Sequence, residues 1–405
     1  MLKICVIGGG PSGLMSAGIA GKNGNLVYLY EKNKTVGKKL LITGKGRCNV
    51  TNSSDTNTLI SNTVCNGKFL YSAYSLFTAN DTIDFFEEYG TPIKIERGNR
   101  AFPVSDRSND ILLALKRFIN EQKVKIRYCA VREIIAKNNY IAGIIEQDGS
   151  YKEFDRVILC TGGLSYPQTG STGDGYSFAK ALGHTITPLR GSLVPLEIKE
   201  KWASDLQGLS LKNVKSSLLT NNKLIYSDFG EMLFTHFGVS GPIILSLSSH
   251  IENIKNENKI VIDLKPALSK ETLDNRILKD FSKYINKDIK NALKDLLPAK
   301  IIPIIISISE INPTTKVNNI TKEQRVKLIQ NIKSFTLNIK AFRPIEEAII
   351  TAGGVKTSEI NPKTMESKLV KGLFFAGEII DVNAYTGGYN LQIAFSTGYV
   401  AGKSV

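Results

Sequence analysis

The sequence predicts an α/β fold, a parallel sheet with covering helices that is interrupted by an inserted β-rich segment. Three observations carry this. Leu2–Ile7 is a short β-branched run that passes straight into Gly8-Gly9-Gly10-Pro11-Ser12-Gly13 and an apolar helical stretch, the strand–turn–helix order of a dinucleotide-binding unit. Near the C-terminus a second buried run, Gly372–Ala376, ends in Gly377-Glu378. Between Leu193 and Phe342 the apolar residues alternate in short runs, the pattern of antiparallel strands in a small barrel or sandwich. Together they predict a Rossmann-like dinucleotide domain split into residues 1–192 and 344–405. Residues 193–268 and 332–343 would form an inserted β-barrel, and residues 269–331 a small helical subdomain.

The elements follow in order. A predicted helix over Ser12–Gly21 and strand over Leu26–Tyr30 complete the first βαβ unit. Residues 32–70 show little apolar periodicity and predict a long functional loop region. Helical patterns over Tyr74–Tyr89 and Ser108–Gln122 precede predicted strands Val124–Tyr128, Val131–Ala136, Tyr140–Glu146 and Val157–Cys160, with Asn138-Asn139 and Asp148-Gly149 as turns. In the insert, strands are expected at Leu193–Ile198, Ser216–Leu219, Lys223–Ile225, Lys259–Leu264 and Ser334–Ile339, around a helical stretch Lys270–Leu297. After Pro344, Ala348–Ala352 and Gly372–Ala376 read as parallel-sheet strands and Asn390–Ala401 as the final helix.

Composition narrows the class. With 42% hydrophobic and 22% charged residues over 405 positions, the chain is an ordinary globular protein, not a disordered or fibrous one. Lys and Arg outnumber Asp and Glu by 52 to 37, a net +15. That excess permits contact with nucleic acid, although the lysine-rich stretch 255–300 is interspersed with Asp and Glu, as on solvated helix faces. The five cysteines, Cys5, Cys48, Cys65, Cys129 and Cys160, form no close pair. This argues against a structural zinc site, a disulfide framework and a redox-active cysteine pair, and no metal is expected. No apolar run approaches the roughly 18–20 residues of a membrane span, and a reducing cytoplasm fits best.

The chemistry begins at the glycines. Gly8 permits a tight turn, Gly10 lets a pyrophosphate approach the backbone, and Gly13 lets the helix pack on the strand. The helix start at Pro11 and Ser12 presents free N–H groups to phosphate. Glu31 ends the second strand, where a carboxylate accepts ribose hydroxyls. The far C-terminus decides between FAD and NAD. A nicotinamide domain has no need of a late strand ending in Gly377-Glu378, with Asp381 close behind and a glycine-opened helix after Gly388. In flavoproteins with two dinucleotide motifs, such a strand reaches the ribityl chain. The helix start then faces the flavin, where its dipole favours negative charge. FAD is therefore the expected cofactor.

At this point the sequence resembles the BaiN/YhiN-like family of FAD-dependent oxidoreductases, also described as aminoacetone-oxidase-like. The matching motifs are VIGGGPSGLMSA, GKKLLITGKGRCNVTN, LCTGGLSYPQTGSTGDGYSFAKALGH, LFTHFGVSGP, ITAGGV and FFAGEIIDVNAYTGGYNLQIAFSTG, which run across essentially the whole chain. The resemblance implies cofactor contacts at Lys32, Lys39, Leu40, Gly46, Arg47, Asn49, Thr51 and Asn52, in and beside the second motif. Here Lys39 and Arg47 would neutralise pyrophosphate or orient a substrate carbonyl. It further implies contacts at Val131, Thr161, Gly162, Gly163 and Asp174, and at Asn390, Leu391, Gln392 and Ile393 on the last helix. Asp174 has helix capping as its competing role, and Cys48 reads as a structural thiol.

Acid–base candidates are few. His236 lies in LFTHFGVSGP, and Tyr385 and Tyr389 flank the C-terminal glycines. The insert is expected to form the lid and walls of the substrate pocket. The resemblance spans reduction of unsaturated ketones and oxidation of amines, with NAD(P)H as a transient partner. An RNA-associated flavoprotein and a non-catalytic FAD-binding protein stay open as alternatives.

Overall fold

The β-branched run at the N-terminus folds as the strand Lys3–Ile7 at the centre of a five-stranded sheet. The order is Leu373–Phe375, Arg156–Leu159, Lys3–Ile7, Leu26–Tyr30 and Lys125–Arg127, with every pair parallel. A sheet covered on both faces needs apolar side chains pointing both ways, and Ile4, Cys5 and Val6 are all fully buried. These residues belong to a computed structural model that describes residues 1–405 as two compact units, Met1–Ser192 with Ile345–Val405, and Leu193–Pro344.

In the first unit the helix Pro11–Lys22 lies against the last helix, Tyr389–Ser404. Small residues make this possible: a Cβ on Gly398 would fall 2.6 Å from the Ser12 carbonyl oxygen, and one on Gly402 2.5 Å from that of Ser16. The helix Ser108–Glu121 packs beside them. A three-stranded antiparallel sheet, Val131–Lys137, Tyr140–Glu146 and Tyr151–Glu153, turns at Asn138 and Asn139, both left-handed at φ 51° and 61°.

Three expectations for this unit need correction. The helix read over Tyr74–Tyr89 is two helices, Tyr71–Leu76 and Ala79–Glu88, because Thr78 leaves the helical path and caps the second with a reciprocal bond to Asp81. The strand near Ala348–Ala352 does not join the parallel sheet. Ile350–Ala352 pairs antiparallel with Arg190–Ser192. The loop region 32–70 carries short regular pieces, including the helices Lys38–Ile42 and Thr56–Ser61.

The second unit is a closed antiparallel barrel in the order Leu196–Ile198, Gly238–Ser240, Lys223–Thr235, Ser210–Thr220, Asn258–Asp263 and Phe335–Phe342. Leu218, Phe234, Ile260, Phe335 and Leu337 fill its interior. The helical stretch read over Lys270–Leu297 ends its main helix at Lys283 and continues in single turns. Further helices, Pro242–Ser248, Ile302–Ile308 and Lys322–Lys333, belong to the same core through Ile244, Ile305 and Leu328.

Candidate functional site

The glycine turn is built as its mechanics require. Gly8 is left-handed at φ 105°, and a Cβ there would lie 2.4 Å from the Cys160 carbonyl oxygen, so the turn can press against the neighbouring strand end. A Cβ on Gly13 would fall 1.8 Å from the Gly8 carbonyl oxygen. Nothing lies within 4 Å of the corresponding point on Gly10, which leaves the backbone open at the helix start. Pro11 supplies the first helical residue, where its missing N–H costs nothing.

The two ends of the chain meet here. Gly377, left-handed at φ 79°, sits so close to the first helix that a Cβ would lie 2.5 Å from Ser12 Oγ. Its N–H donates to Thr397 Oγ1 at 2.9 Å, which ties the late strand to the last helix. Gly388, at φ 100°, opens that helix with its α-carbon against the Thr51 carbonyl, where a Cβ would fall 2.3 Å from the oxygen. Asn52 donates from Nδ2 to the carbonyls of Gly98 (2.9 Å) and Gly387 (3.2 Å). One cradle therefore draws on Gly8–Gly13, Thr51–Asn52, Gly377 and Gly388.

Glu31 is only 8% exposed and already accepts three N–H groups. Gly9 N donates to Oε2 at 3.0 Å, and Asn33 N and Nδ2 each donate to Oε1 at 2.7 Å. A carboxylate has about four acceptor directions, so one remains open. Lys32 pairs with Asp174 at 2.6 Å and bonds Thr172. Against the upward push of burial, the bonds from Lys32 and Thr172 hold the Asp174 carboxyl below its usual range. Asp174 does not cap its own helix through its side chain.

The Lys38–Asn52 segment divides its charges. Gly37, left-handed, turns the chain into the short helix, and Leu40 anchors it in the core. Lys38 Nζ reaches out to Asn33 Oδ1 at 3.0 Å, while Lys39 Nζ turns inward to Glu378 Oε2 at 2.7 Å and Ser165 Oγ at 2.6 Å. Arg47 pairs with Glu96 and Asp106, both at 2.5 Å, and its guanidinium stacks 4.2 Å over the Phe102 ring. Its charge is thus engaged within the protein. Gly46, at φ 86°, has open space on its Cβ side. Cys48 is fully buried, and burial, partly offset by a bond from Thr43, pushes its thiol up to about 12, so it is no nucleophile.

The other sequence candidates fall into two groups. Thr161 lies against Gly8, and Gly162 and Gly163 follow it. A Cβ on Gly163 would strike Thr351 Oγ1 at 2.4 Å and approach Glu378 Oε1 at 2.9 Å. Val131 starts the antiparallel sheet. Asp381 accepts Asn66 Nδ2 at its carbonyl (2.7 Å) and at Oδ2 (3.2 Å). On the last helix the side chains serve the protein. Asn390 staples the carbonyls of Ala384 and Tyr385. The fully buried Gln392 accepts Thr51 Oγ1 (2.5 Å) and Thr82 Oγ1 (2.9 Å), and donates to Phe77 O, Thr78 O and Ser396 Oγ. Ile393 is core, and Leu391 packs against it. What this helix can offer a cofactor is its first-turn N–H groups. Tyr389 is buried beside Gly387, and burial raises its pKa. Tyr385 hydrogen-bonds Asn62 O through its backbone N–H. His236 belongs to the barrel unit, at the exposed turn between Lys223–Thr235 and Gly238–Ser240, its ring edge-on to Phe237 at 4.9 Å.

Sequence reasoning assigned no role to Ser165 or Thr351, which both bond Glu378. Both lie in motifs already singled out, GGLSYP and ITAGGV, and that was the available signal. The fit to FAD has an independent mark: Thr161 Oγ1 and Asn49 Oδ1 are buried without a hydrogen-bond partner. The Thr161 α-carbon lies beside Gly8 while its Oγ1 faces the start of the following helix at Gly175, and buried polar atoms are seldom left unpaired without a ligand or water to meet them.

The chain is 32% identical over 413 residues to the 3-dehydro-bile acid delta(4,6)-reductase of Clostridium scindens, covering 100% of this chain and 99% of the relative. It is 28% identical over 401 residues to the ribosomal RNA dihydrouridine synthase of Escherichia coli, covering 99% and 97%. Among solved structures, 3-ketosteroid-delta4-(5alpha)-dehydrogenase from Rhodococcus jostii RHA1 shares the fold. Its TM-score is 0.52 at 14% identity, with 100% of this chain and 96% of that one covered. The HI0933-like protein Rossmann domain matches residues 2–404, and the chain belongs to that family of FAD-dependent oxidoreductases.

Proposed function

We propose that the protein is a reductase that saturates a carbon–carbon double bond conjugated to a carbonyl, with NAD(P)H as donor. The observation that supports it is the cradle assembled from both chain ends, with Gly377 against Ser12 and Gly388 against Thr51. The choice of bond comes from the two relatives. A delta(4,6)-reductase of a 3-dehydro acid and a dihydrouridine synthase act on unlike scaffolds, yet each name describes saturation of an unsaturated carbonyl system. Bound FAD, once reduced by NAD(P)H, would supply a hydride to the β-carbon, a proton would go to the α-carbon, and the product would carry two more hydrogens. Tyr389, beside Gly387 at the start of the last helix, is the proposed proton donor, with Tyr385 as the second candidate. The first-turn amides of the last helix favour negative charge on the cofactor ring.

One observation favours RNA as the carrier of the double bond. Lys45, Arg97, Arg100 and Arg107 are exposed on or beside the small sheet Thr51–Asn52, Arg100–Pro103 and Ile93–Glu96, in a chain of net charge +15. The Asn52 amide links this sheet to the Gly387 loop. The test of the main reading is anaerobic mixing with NADH and NADPH, followed by an unsaturated ketone or uridine-containing RNA. Bleaching of the flavin by a nicotinamide and a product two hydrogens heavier are expected. A flavin that no nicotinamide reduces removes the donor from the proposal, and an unchanged substrate mass removes the reaction.

A further inference from the structure

We propose that Lys39 is a positioning residue for the cofactor. It acts through Glu378, whose carboxylate it orients, and not as a ligand of the pyrophosphate. The inference rests on the reading of the cradle as an FAD site.

Three separate segments converge on one carboxylate. Glu378 Oε1 accepts Thr351 N at 2.8 Å and lies 3.2 Å from Ser165 Oγ, while Oε2 accepts Lys39 Nζ at 2.7 Å. Thr351 also receives the N–H groups of Leu164 (2.7 Å) and Ser165 (3.2 Å) on its hydroxyl, which fixes the loop that carries Ser165. Lys39 Nζ donates to Ser165 as well, so Lys39, Ser165 and Glu378 close a ring of three polar groups. The side chains of Lys39 and Glu378 are 22% and 20% exposed. In that setting, an ion pair with good geometry and further hydrogen bonds holds its partners in place more firmly than a surface pair.

The accounting of acceptor directions gives the ring its purpose. Of about four on a carboxylate, the three contacts use three and leave one, on Oε2. Gly377, immediately before Glu378, is the residue pressed against Ser12 at the start of the first helix. The free direction therefore belongs to a carboxylate anchored at the junction of the two cofactor motifs, able to accept one ribityl hydroxyl. Lys39 bonds the same oxygen and sets where that direction points. The neighbouring Lys38 turns to Asn33, so the two lysines of the motif are not interchangeable.

A double-mutant cycle on the full chain tests this: Lys39→Met, Glu378→Gln and the pair, each stripped of flavin and titrated with FAD. Each single change should weaken binding about tenfold, and Lys39→Met should add less than about twofold once Glu378→Gln is present. Lys39→Arg, which keeps the charge and donors, should recover most of the affinity. If Lys39→Met weakens FAD by the same factor in both backgrounds, Lys39 contacts the cofactor directly and the proposal is overturned. No change in affinity overturns it as well. Lys39→Gln carries the same cycle if the methionine variant does not fold. Absence of FAD binding by the unaltered chain would instead refute the cofactor reading itself.

Discussion

Replacing Glu31 with alanine separates two jobs that this carboxylate holds. In the protein alone it accepts Gly9 N at 3.0 Å and both Asn33 donors at 2.7 Å, while 8% exposed. Its remaining acceptor direction is the one assigned to ribose. Loss of a charged acceptor from a ligand hydroxyl costs about 1.5–3 kcal/mol, which is about ten- to a hundredfold in FAD affinity. Loss of the internal bonds also has a cost, because the Gly9 N–H is buried, but water entering the space that the side chain vacates can meet it and the half-buried Asn33 donors. A lowering of about 1 kcal/mol in apo-protein stability is expected. Glu31→Gln keeps the shape and one acceptor oxygen, so its affinity should fall between the two. Isothermal titration of FAD into apo-protein, with thermal unfolding of the same samples, reads both effects. A dissociation constant within twofold of the unaltered protein, alongside a lower melting temperature, would make Glu31 a brace for the glycine turn and nothing more.

Three further outcomes are expected. Tyr389→Phe should leave flavin content intact and slow substrate reduction about a hundredfold, whereas His236→Ala, at an exposed turn, should leave flavin content unchanged whatever it does to turnover. His184 is buried between Glu359 (3.1 Å) and Ser367 (2.8 Å); burial, partly offset by Glu359, lowers its pKa. The folded state then binds fewer protons than the unfolded one, so stability present above about pH 6.5 is lost as pH falls below it. Melting curves from pH 7.5 to 5 should show this fall, and His184→Asn should flatten it. Finally, if RNA carries the substrate, Arg97→Glu with Arg107→Glu should weaken RNA binding and reduce its salt dependence by about one unit of slope per lost phosphate contact. Unchanged binding at all salt concentrations would remove RNA from the proposal.

What was legible in the sequence was local. Leu26–Tyr30 and Tyr140–Glu146 were read to the residue, since each is a strand-forming run bounded by turn residues. The glycine turn could be argued position by position because Gly8, Gly10 and Gly13 act over a few bonds. The break at Phe77–Thr78 was only partly legible: Thr78-Ala79-Asn80-Asp81 carries the capping pattern that starts the second helix, but the groups that hold the break open lie far away. Phe77 O and Thr78 O are taken by Gln392 and Phe77 O also by Ser396, more than three hundred residues away, and no local pattern announces such partners. The barrel strand Gly238–Ser240 is too short to show alternation. In the site, residue type suggested that Lys39, Arg47 and Glu378 were charges awaiting a ligand. Only the fold reveals that Lys39 and Glu378 meet, and that Arg47 is occupied by Glu96 and Asp106.

The most direct measurement reduces the bound flavin photochemically and mixes it anaerobically with a conjugated enone or a uridine-containing RNA. The visible flavin band is followed and the product is weighed. The account predicts that the band returns at a rate that rises with substrate concentration, and that one product molecule, heavier by two hydrogens, forms per flavin reoxidised. A reduced flavin that stays bleached before every conjugated carbonyl, yet is promptly reoxidised by oxygen, would contradict it.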